Sequence, residues 1–310
     1  MTMEIGFSLP QIGPQATTEN LIRVAHRAEE LGYDSIWVLE RLLWPISPKA
    51  PYLPSPDGSL PVVYQNVFDP IETLTYVSAH TKKIKLGTSV IILPIHNPVI
   101  LARRLATLDV LSNGRLIVGV GLGWSPDEFE AAGVNFERRG ERGDEFLQLL
   151  KEIWTKDLVE FQGEFYRVAK SIIGPKPVQK PHPPIYIGGF TKKAFERAIR
   201  YANGFHPAGI KNFHELESII KSIKDMAKRA GRNSEEIGIL IREVPAILDK
   251  KDKAERKPFV GTINEIGEDI RRYIEIGVTH LFFDLNFSLK DGDVTPMISA
   301  MEKLIQAAKK

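Results

Sequence analysis

Residues 83–121 read KIKLGTSVIILPIHNPVILARRLATLDVLSNGRLIVGVG, and the fold is decided here. Lys83–Leu93 is rich enough in β-branched and aliphatic residues for a strand covered on both faces. Asn97-Pro98 then marks a helix start: asparagine accepts from the free amides of a first turn, and proline suits the first helical position, where no amide partner is needed. Pro98–Leu111 carries a helical pattern, and Arg115–Gly121 is a second apolar strand. Strand, helix and strand in this order make one parallel β–α–β unit.

The same alternation continues in both directions. Strands are expected at Glu4–Leu9, Asp34–Leu39, Pro184–Gly188, Gly204–Pro207, Ile237–Leu248 and Val278–Leu285. Helical patterns follow at Thr17–Leu31, Pro70–Thr81, Arg139–Trp154, Thr191–Ala202, Asn212–Ala230, Thr262–Ile276 and Val294–Ala308. Eight β–α units in a chain of this length predict an α/β fold, a closed (β/α)8 TIM barrel forming a single domain over 1–310, since such barrels typically need roughly 250 residues. A doubly wound open sheet would place a glycine-rich turn after its first strand, where this chain has Leu9-Pro10-Gln11.

Two segments break the period. Glu40 to Phe68, after the second strand, holds Pro45, Pro48, Pro51, Pro54, Pro56 and Pro61, which forbid a long helix, and Trp44, Tyr52, Tyr64 and Phe68, which favour packing over a ligand or neighbour. Leu158–Val168 reads as a small hairpin around Gln162-Gly163-Glu164, inserted before the fifth strand.

Composition narrows the function classes. Lys and Arg number 41 against 39 acidic residues, a net charge of +2 that gives no electrostatic reason to expect nucleic acid or anionic lipid. Zero cysteines exclude disulfides, thiolate metal sites and a cysteine nucleophile. No apolar run is long enough to span a membrane, and the Met1-Thr2-Met3-Glu4 start has no signal-peptide character, so a cytoplasmic location is expected. Neither H-E-x-x-H nor G-x-S-x-G occurs, so no metal site is expected and a metal-dependent hydrolase is disfavoured.

A run of motifs then becomes recognisable. Ile84-Lys85-Leu86-Gly87-Thr88-Ser89-Val90, Asn97-Pro98, Leu105 to Leu116, Gly119-Val120-Gly121-Leu122-Gly123-Trp124, Gly163-Glu164-Phe165-Tyr166, Pro175-Lys176-Pro177, Gly188-Gly189 and Ala202 to Pro207 occur in the order seen in the bacterial luciferase-like oxidoreductases. The chain resembles that family from Glu4 to about Leu285, and within it the branch that uses the deazaflavin coenzyme F420. The resemblance implies a redox ring at the C-terminal mouth of the barrel, with hydride transfer to or from an organic small-molecule substrate, and a homodimer. FMN is the alternative cofactor and monooxygenation the alternative reaction; a non-catalytic flavin-binding barrel is the competing class.

The same likeness places candidate residues. Ser89 and Val90 correspond to a strand bulge whose cis peptide backs the ring. Gly188 and Gly189, with Thr191 capping the next helix and Lys192 adding charge, suit a phosphate at a helix start. Gly121 and Gly123 are read as clearance for the ring edge. Glu40-Arg41 stands where relatives carry an acid-histidine pair: Arg41 is expected to bind an anion, with Glu40 orienting it as a bidentate partner, and Trp44 to face the substrate. His206, at the end of the sixth strand, is the candidate for proton delivery or for hydrogen bonding with a ring carbonyl, ahead of His96. Trp124 stands where some relatives carry a catalytic glutamate; Asp127 or Glu128 is the candidate substitute, and helix capping at Ser125 or Asp127 is the alternative reading.

Overall fold

Eight parallel strands close on themselves in the computed structural model, which describes residues 3–207, 210, 212–251, 256–289 and 291–309. They are β1 (Glu4–Ser8), β2 (Ser35–Val38), β3 (Lys85–Thr88), β4 (Leu116–Gly121), β5 (Ile185–Gly189), β6 (Gly204–Pro207), β7 (Gly238–Glu243) and β8 (His280–Phe283). Each pairs in parallel with the next, and β8 returns to β1 from Glu4↔His280 to Phe7↔Phe283, so no sheet edge is left in the barrel. The expected (β/α)8 barrel is the observed one.

The outer layer is α1 (Thr18–Leu31), α2 (Pro70–Ser78), α3 (Pro98–Leu111), α4 (Arg139–Thr155), α5 (Lys192–Tyr201), α6 (Phe213–Arg229), α7 (Ile263–Ile276) and α8 (Thr295–Ala308). Their starts follow local chemistry. Thr17, Thr191, Asn212 and Thr262 cap first-turn amides from just outside the helix, and Thr262 with Glu265 completes a reciprocal capping box. Sequence reading had counted these four caps as helical.

Strand lengths differ more. The expected strand Lys83–Leu93 stops at Thr88, turns through a cis Ser89–Val90 peptide and resumes at Ile91–Ile92 beside Val120–Gly121 of β4. The expected strand Ile237–Leu248 leaves the barrel after Glu243, and Ala246–Ile247 pairs instead with Val260–Gly261 outside it. The hairpin runs Leu158–Gln162 against Arg167–Ile172, longer than the Leu158–Val168 expected. The proline-rich run after it is tied to α3 by buried Asp109, which accepts from the amides of Val178 (2.8 Å) and Gln179 (3.1 Å) and from the Gln179 side chain (2.7 Å).

Inside the barrel Trp37, Ile117, Tyr186, Leu240 and Phe282 form their own cluster, with Trp37 stacked on Phe282 at 4.8 Å. Such large rings fit because the neighbouring strands carry glycine opposite them. A Cβ at Gly87 would lie 2.3 Å from the Trp37 ring, and one at Gly204 2.3 Å from the Tyr186 ring. Aromatic filling of the interior pushes open space toward the C-terminal ends of the strands.

Candidate active site at the barrel mouth

The C-terminal rim collects the polar side chains. Thr88 ends the regular part of β3, where its hydroxyl both donates to the Gly119 carbonyl (2.8 Å) and accepts from the Gly119 amide (3.0 Å), replacing ladder bonds that the bulge removes. The cis Ser89–Val90 peptide, expected from the resemblance, therefore faces the interior. Val90 lies against β4 and β5: a Cβ at Gly121 would come 2.8 Å from Val90 Cγ2 and one at Gly188 3.2 Å from Val90 Cγ1.

This corrects the reading of the glycines on β4. The clearance at Gly121 is taken up by Val90, and that at Gly123 by Ile92 and Phe129, at 2.7 and 2.9 Å from a Cβ. Gly188 and Gly189 end β5, and Gly189 has φ 153°, a backbone state that side chains rarely adopt. Thr191 caps α5 by accepting from the Ala194 amide, as expected. Lys192 points outward, its side chain 81% exposed and 4.0 Å from Glu196.

Ser89 reaches across the barrel. Its hydroxyl lies 2.9 Å from His206 Nε2, while His206 Nδ1 lies 2.9 Å from the Leu240 carbonyl. A carbonyl only accepts, so the proton sits on Nδ1 and Nε2 accepts from Ser89. Burial pushes His206 down to about 4. The expectation of proton delivery is therefore corrected: at neutral pH this ring is uncharged and orients Ser89.

The Glu40-Arg41 pair does not exist as expected. Glu40 turns to the short strand Ile91–Ile92 beyond the bulge, accepting from the Ile92 amide at 2.6 Å and meeting His96 Nε2 at 2.8 Å. Arg41 lies instead beside Glu128, Nη2 to Oε1 at 3.2 Å, with side chains 6% and 0% exposed. Two residues at adjacent positions on an extended chain point to opposite sides, and so find different partners. Glu128 lies in a short helix, Pro126–Ala131, opened by Pro126 after Ser125. Its Oε1 also accepts from the Leu42 amide (2.8 Å), and burial raises its affinity for a proton.

The loop from Glu40 to Phe68 lies over the rim. Tyr52 packs on Trp124 (5.4 Å between ring centres) and Tyr64 on Phe287 (5.7 Å), joining the segments after β2, β4 and β8. Trp44 belongs to this cluster and donates to the Leu60 carbonyl at 3.3 Å. Arg41 sits beneath, with Cζ 4.9 Å from the Trp124 ring and 5.8 Å from that of Tyr64. The aromatic packing expected of this loop is observed.

Sequence reading missed two acidic positions. Arg242 on β7 pairs with Asp284, just past β8, at 2.6 Å, and Asp284 holds Asn286. These residues line a small cavity with Ser8, Gln11, Trp37 and Ser89. Glu243, the last residue of β7, accepts from the Tyr273 hydroxyl, and burial pushes it up to about 7, with Asp269 adding to the rise. The signal was present: charge inside the apolar run Ile237–Leu248 lies at the end of a barrel strand, where function concentrates. Among the described residues no group of three or more His, Cys, Asp or Glu is placed to hold a metal ion, and no helix is long and apolar enough to cross a membrane.

Glu243 and His206 oppose one another in their effect on stability. Folded Glu243 keeps its proton up to about pH 7, whereas the unfolded group loses it near 4.5, so its contribution is fully present below pH 4.5 and is lost as pH rises to 7. Folded His206 stays neutral down to about pH 4, so its contribution is present above pH 6.5 and lost as pH falls. Between pH 4.5 and 6.5 the two slopes cancel, each about 1.4 kcal/mol per pH unit. Relative to wild type, Glu243→Gln is expected to tilt stability upward with pH and His206→Asn downward, as measured by urea midpoints across this window.

Comparison with known proteins agrees with this geometry. Residues 3–273 match the family described as luciferase-like monooxygenase. An F420-dependent glucose-6-phosphate dehydrogenase of Amycolatopsis mediterranei is 30% identical over 242 residues, 76% of this chain and 66% of that protein. An FMNH(2)-dependent dimethylsulfone monooxygenase of Pseudomonas putida is 32% identical over 179 residues, 57% of this chain and 48% of that protein. The solved structure of an F420-dependent secondary alcohol dehydrogenase in complex with an F420-acetone adduct superposes with a TM-score of 0.80 over 100% of both chains, at 19% identity. With the barrel, the bulge on β3 and a match across most of its length, the chain belongs to the luciferase-like monooxygenase family of flavin- and deazaflavin-dependent enzymes.

Proposed function

We propose that this protein is an oxidoreductase that moves hydride between the C5 position of the deazaflavin F420 and an organic substrate at the barrel mouth. The observation that carries the reading is the inward bulge at Ser89–Val90, seated against Gly121 and Gly188. The Val90 side chain fills the space over both glycines, so the ends of β3, β4 and β5 offer an apolar wall against which a flat ring can rest. Ser89, Val90, Gly188 and Gly189 would hold the ring side, and the start of α5 at Thr191 the phosphate. The coenzyme supplies the hydride chemistry; the protein supplies orientation and electrostatics.

The remaining roles fall to this chain's own side chains. His206 fixes the direction of the Ser89 hydroxyl. Arg41 presents a fixed positive charge to the substrate, and Glu128 beside it is the group whose raised proton affinity suits proton exchange with a substrate oxygen. The aromatic cover, with Trp44, keeps water from this surface.

Titrating the purified protein separately with F420 and with FMN, followed by absorbance, tests the assignment. Micromolar or tighter F420 binding with weak FMN binding is expected. Tight FMN binding without F420 binding moves the protein to the monooxygenase branch, and F420 binding without turnover of any acceptor makes it a passive carrier.

A further inference from the structure

We infer that the Arg41–Glu128 site is a carboxylate-binding pocket, so that the substrate of this enzyme is a carboxylic acid held by its carboxylate end. The inference rests on the proposed redox reading only for the word substrate; the binding site itself rests on the unpaired buried groups of Arg41 and Glu128.

Arg41 Nε and Nη2 are both buried without a hydrogen-bond partner, and Glu128 Oε2 beside them is too. Nε–H and Nη2–H lie side by side on one edge of the guanidinium plane, spaced to grip two carboxylate oxygens in parallel. At Arg197 and Arg242 that edge is filled by a carboxylate, and although Arg142 Nε is also buried without a partner, Arg41 among the described residues leaves both Nε and Nη2 unpaired. Arg197 donates from Nε to Asp144 Oδ1 (2.6 Å) and from Nη2 to Oδ2 (3.2 Å), and Arg242 directs the same two nitrogens at Asp284. At Arg41 the nearest acid approaches Nη2 at 3.2 Å without hydrogen-bond alignment, because its Oε1 is already turned to the Leu42 amide.

Leaving two donors of a buried cation unmade is costly, so a side chain 94% removed from solvent in this state calls for an acceptor from outside. A single carbonyl oxygen would satisfy one donor well; a carboxylate satisfies both. Glu128 completes the fit. Brought beside a second carboxylate its proton affinity rises further, and once protonated Oε2 donates to the ligand's remaining lone pair. The rings of Trp124 and Tyr64 flank the guanidinium and leave the ligand's body in an apolar, aromatic setting.

The test uses benzoate, with benzyl alcohol as the neutral analogue of similar shape, titrated into the full chain without coenzyme and followed by tryptophan fluorescence, since Trp124 adjoins the site. Benzoate is expected to bind at least ten-fold more tightly than benzyl alcohol, more weakly as pH rises. Arg41→Lys, which keeps the charge and loses the fork, is expected to reduce that preference to less than about three-fold, with thermal midpoint and circular dichroism confirming folding. Glu128→Gln is expected to keep benzoate binding and remove its pH dependence. Equal binding of the two probes to wild type, or an undiminished preference in Arg41→Lys, overturns the inference. Failure of F420 to bind in the separate titration would remove the redox reading and leave this pocket untouched.

Discussion

Gly119→Ala is expected to prevent the barrel from closing. A Cβ built at this position lies 1.9 Å from the Thr88 carbonyl oxygen and 3.1 Å from its carbon, both backbone atoms of the adjacent strand. A flexible side chain could swing aside, but Thr88 cannot: its hydroxyl is bonded to both the amide and the carbonyl of Gly119, and the chain turns into the bulge immediately after it. Relief would require β3 and β4 to separate where the barrel has no spare strand. Overpacking against side chains costs about 1–3 kcal/mol, and a clash with fixed backbone costs more. The expected result is insoluble protein, or a urea midpoint lowered by at least about 3 kcal/mol of stability. A wild-type midpoint for Gly119→Ala would refute the β3–β4 arrangement described above.

Asp284→Ala is the second large effect. The carboxylate is 2% exposed, pairs with Arg242 at 2.6 Å and accepts from both the amide (3.0 Å) and the side chain (2.8 Å) of Asn286. Its removal leaves a cation at the barrel mouth without its partner and costs Asn286 two of its hydrogen bonds, its side chain keeping the Leu9 carbonyl and Gln15. Breaking a fully buried pair costs about 3–5 kcal/mol, and with Arg242 24% exposed the loss is expected at or below the lower end of that range, about 2–3 kcal/mol, most of it from the uncompensated charge. The double variant Asp284→Ala with Arg242→Met is therefore expected to recover part of the loss, and chemical denaturation of the three proteins measures the coupling. Equal stability of Asp284→Ala and wild type would show that Arg242 is solvated.

The helices were legible because their ends carry chemistry of their own. Asn97 with Pro98, or Thr262 with Glu265, announces a first turn whatever surrounds it. The strands were legible as apolar runs, but their ends were not, since β3 stops where an interior bulge begins and β7 stops where Glu243 meets Tyr273 of a distant helix. Neither event is local. The Ser89–Val90 cis bond came from the resemblance alone. Glu128 was named in the sequence as a substitute acid, yet its pairing with Arg41 was invisible, because local spacing suggested that Glu40 would serve. Adjacent side chains on an extended backbone diverge, and only the closed barrel brings the segment after β4 to the segment after β2. His206 was found by position, but its depressed proton affinity was not legible, for that depends on how completely the barrel encloses it.

The aromatic cover bears on timing as well as on shape. Tyr52 and Tyr64 touch rings on the far side of the rim, so exchanging a finished molecule for a fresh one requires those contacts to part and re-form. Ligand exchange is therefore expected to be paced by the segment between Glu40 and Phe68, and loosening it with Tyr52→Ala is expected to speed release, as stopped-flow dissociation measures.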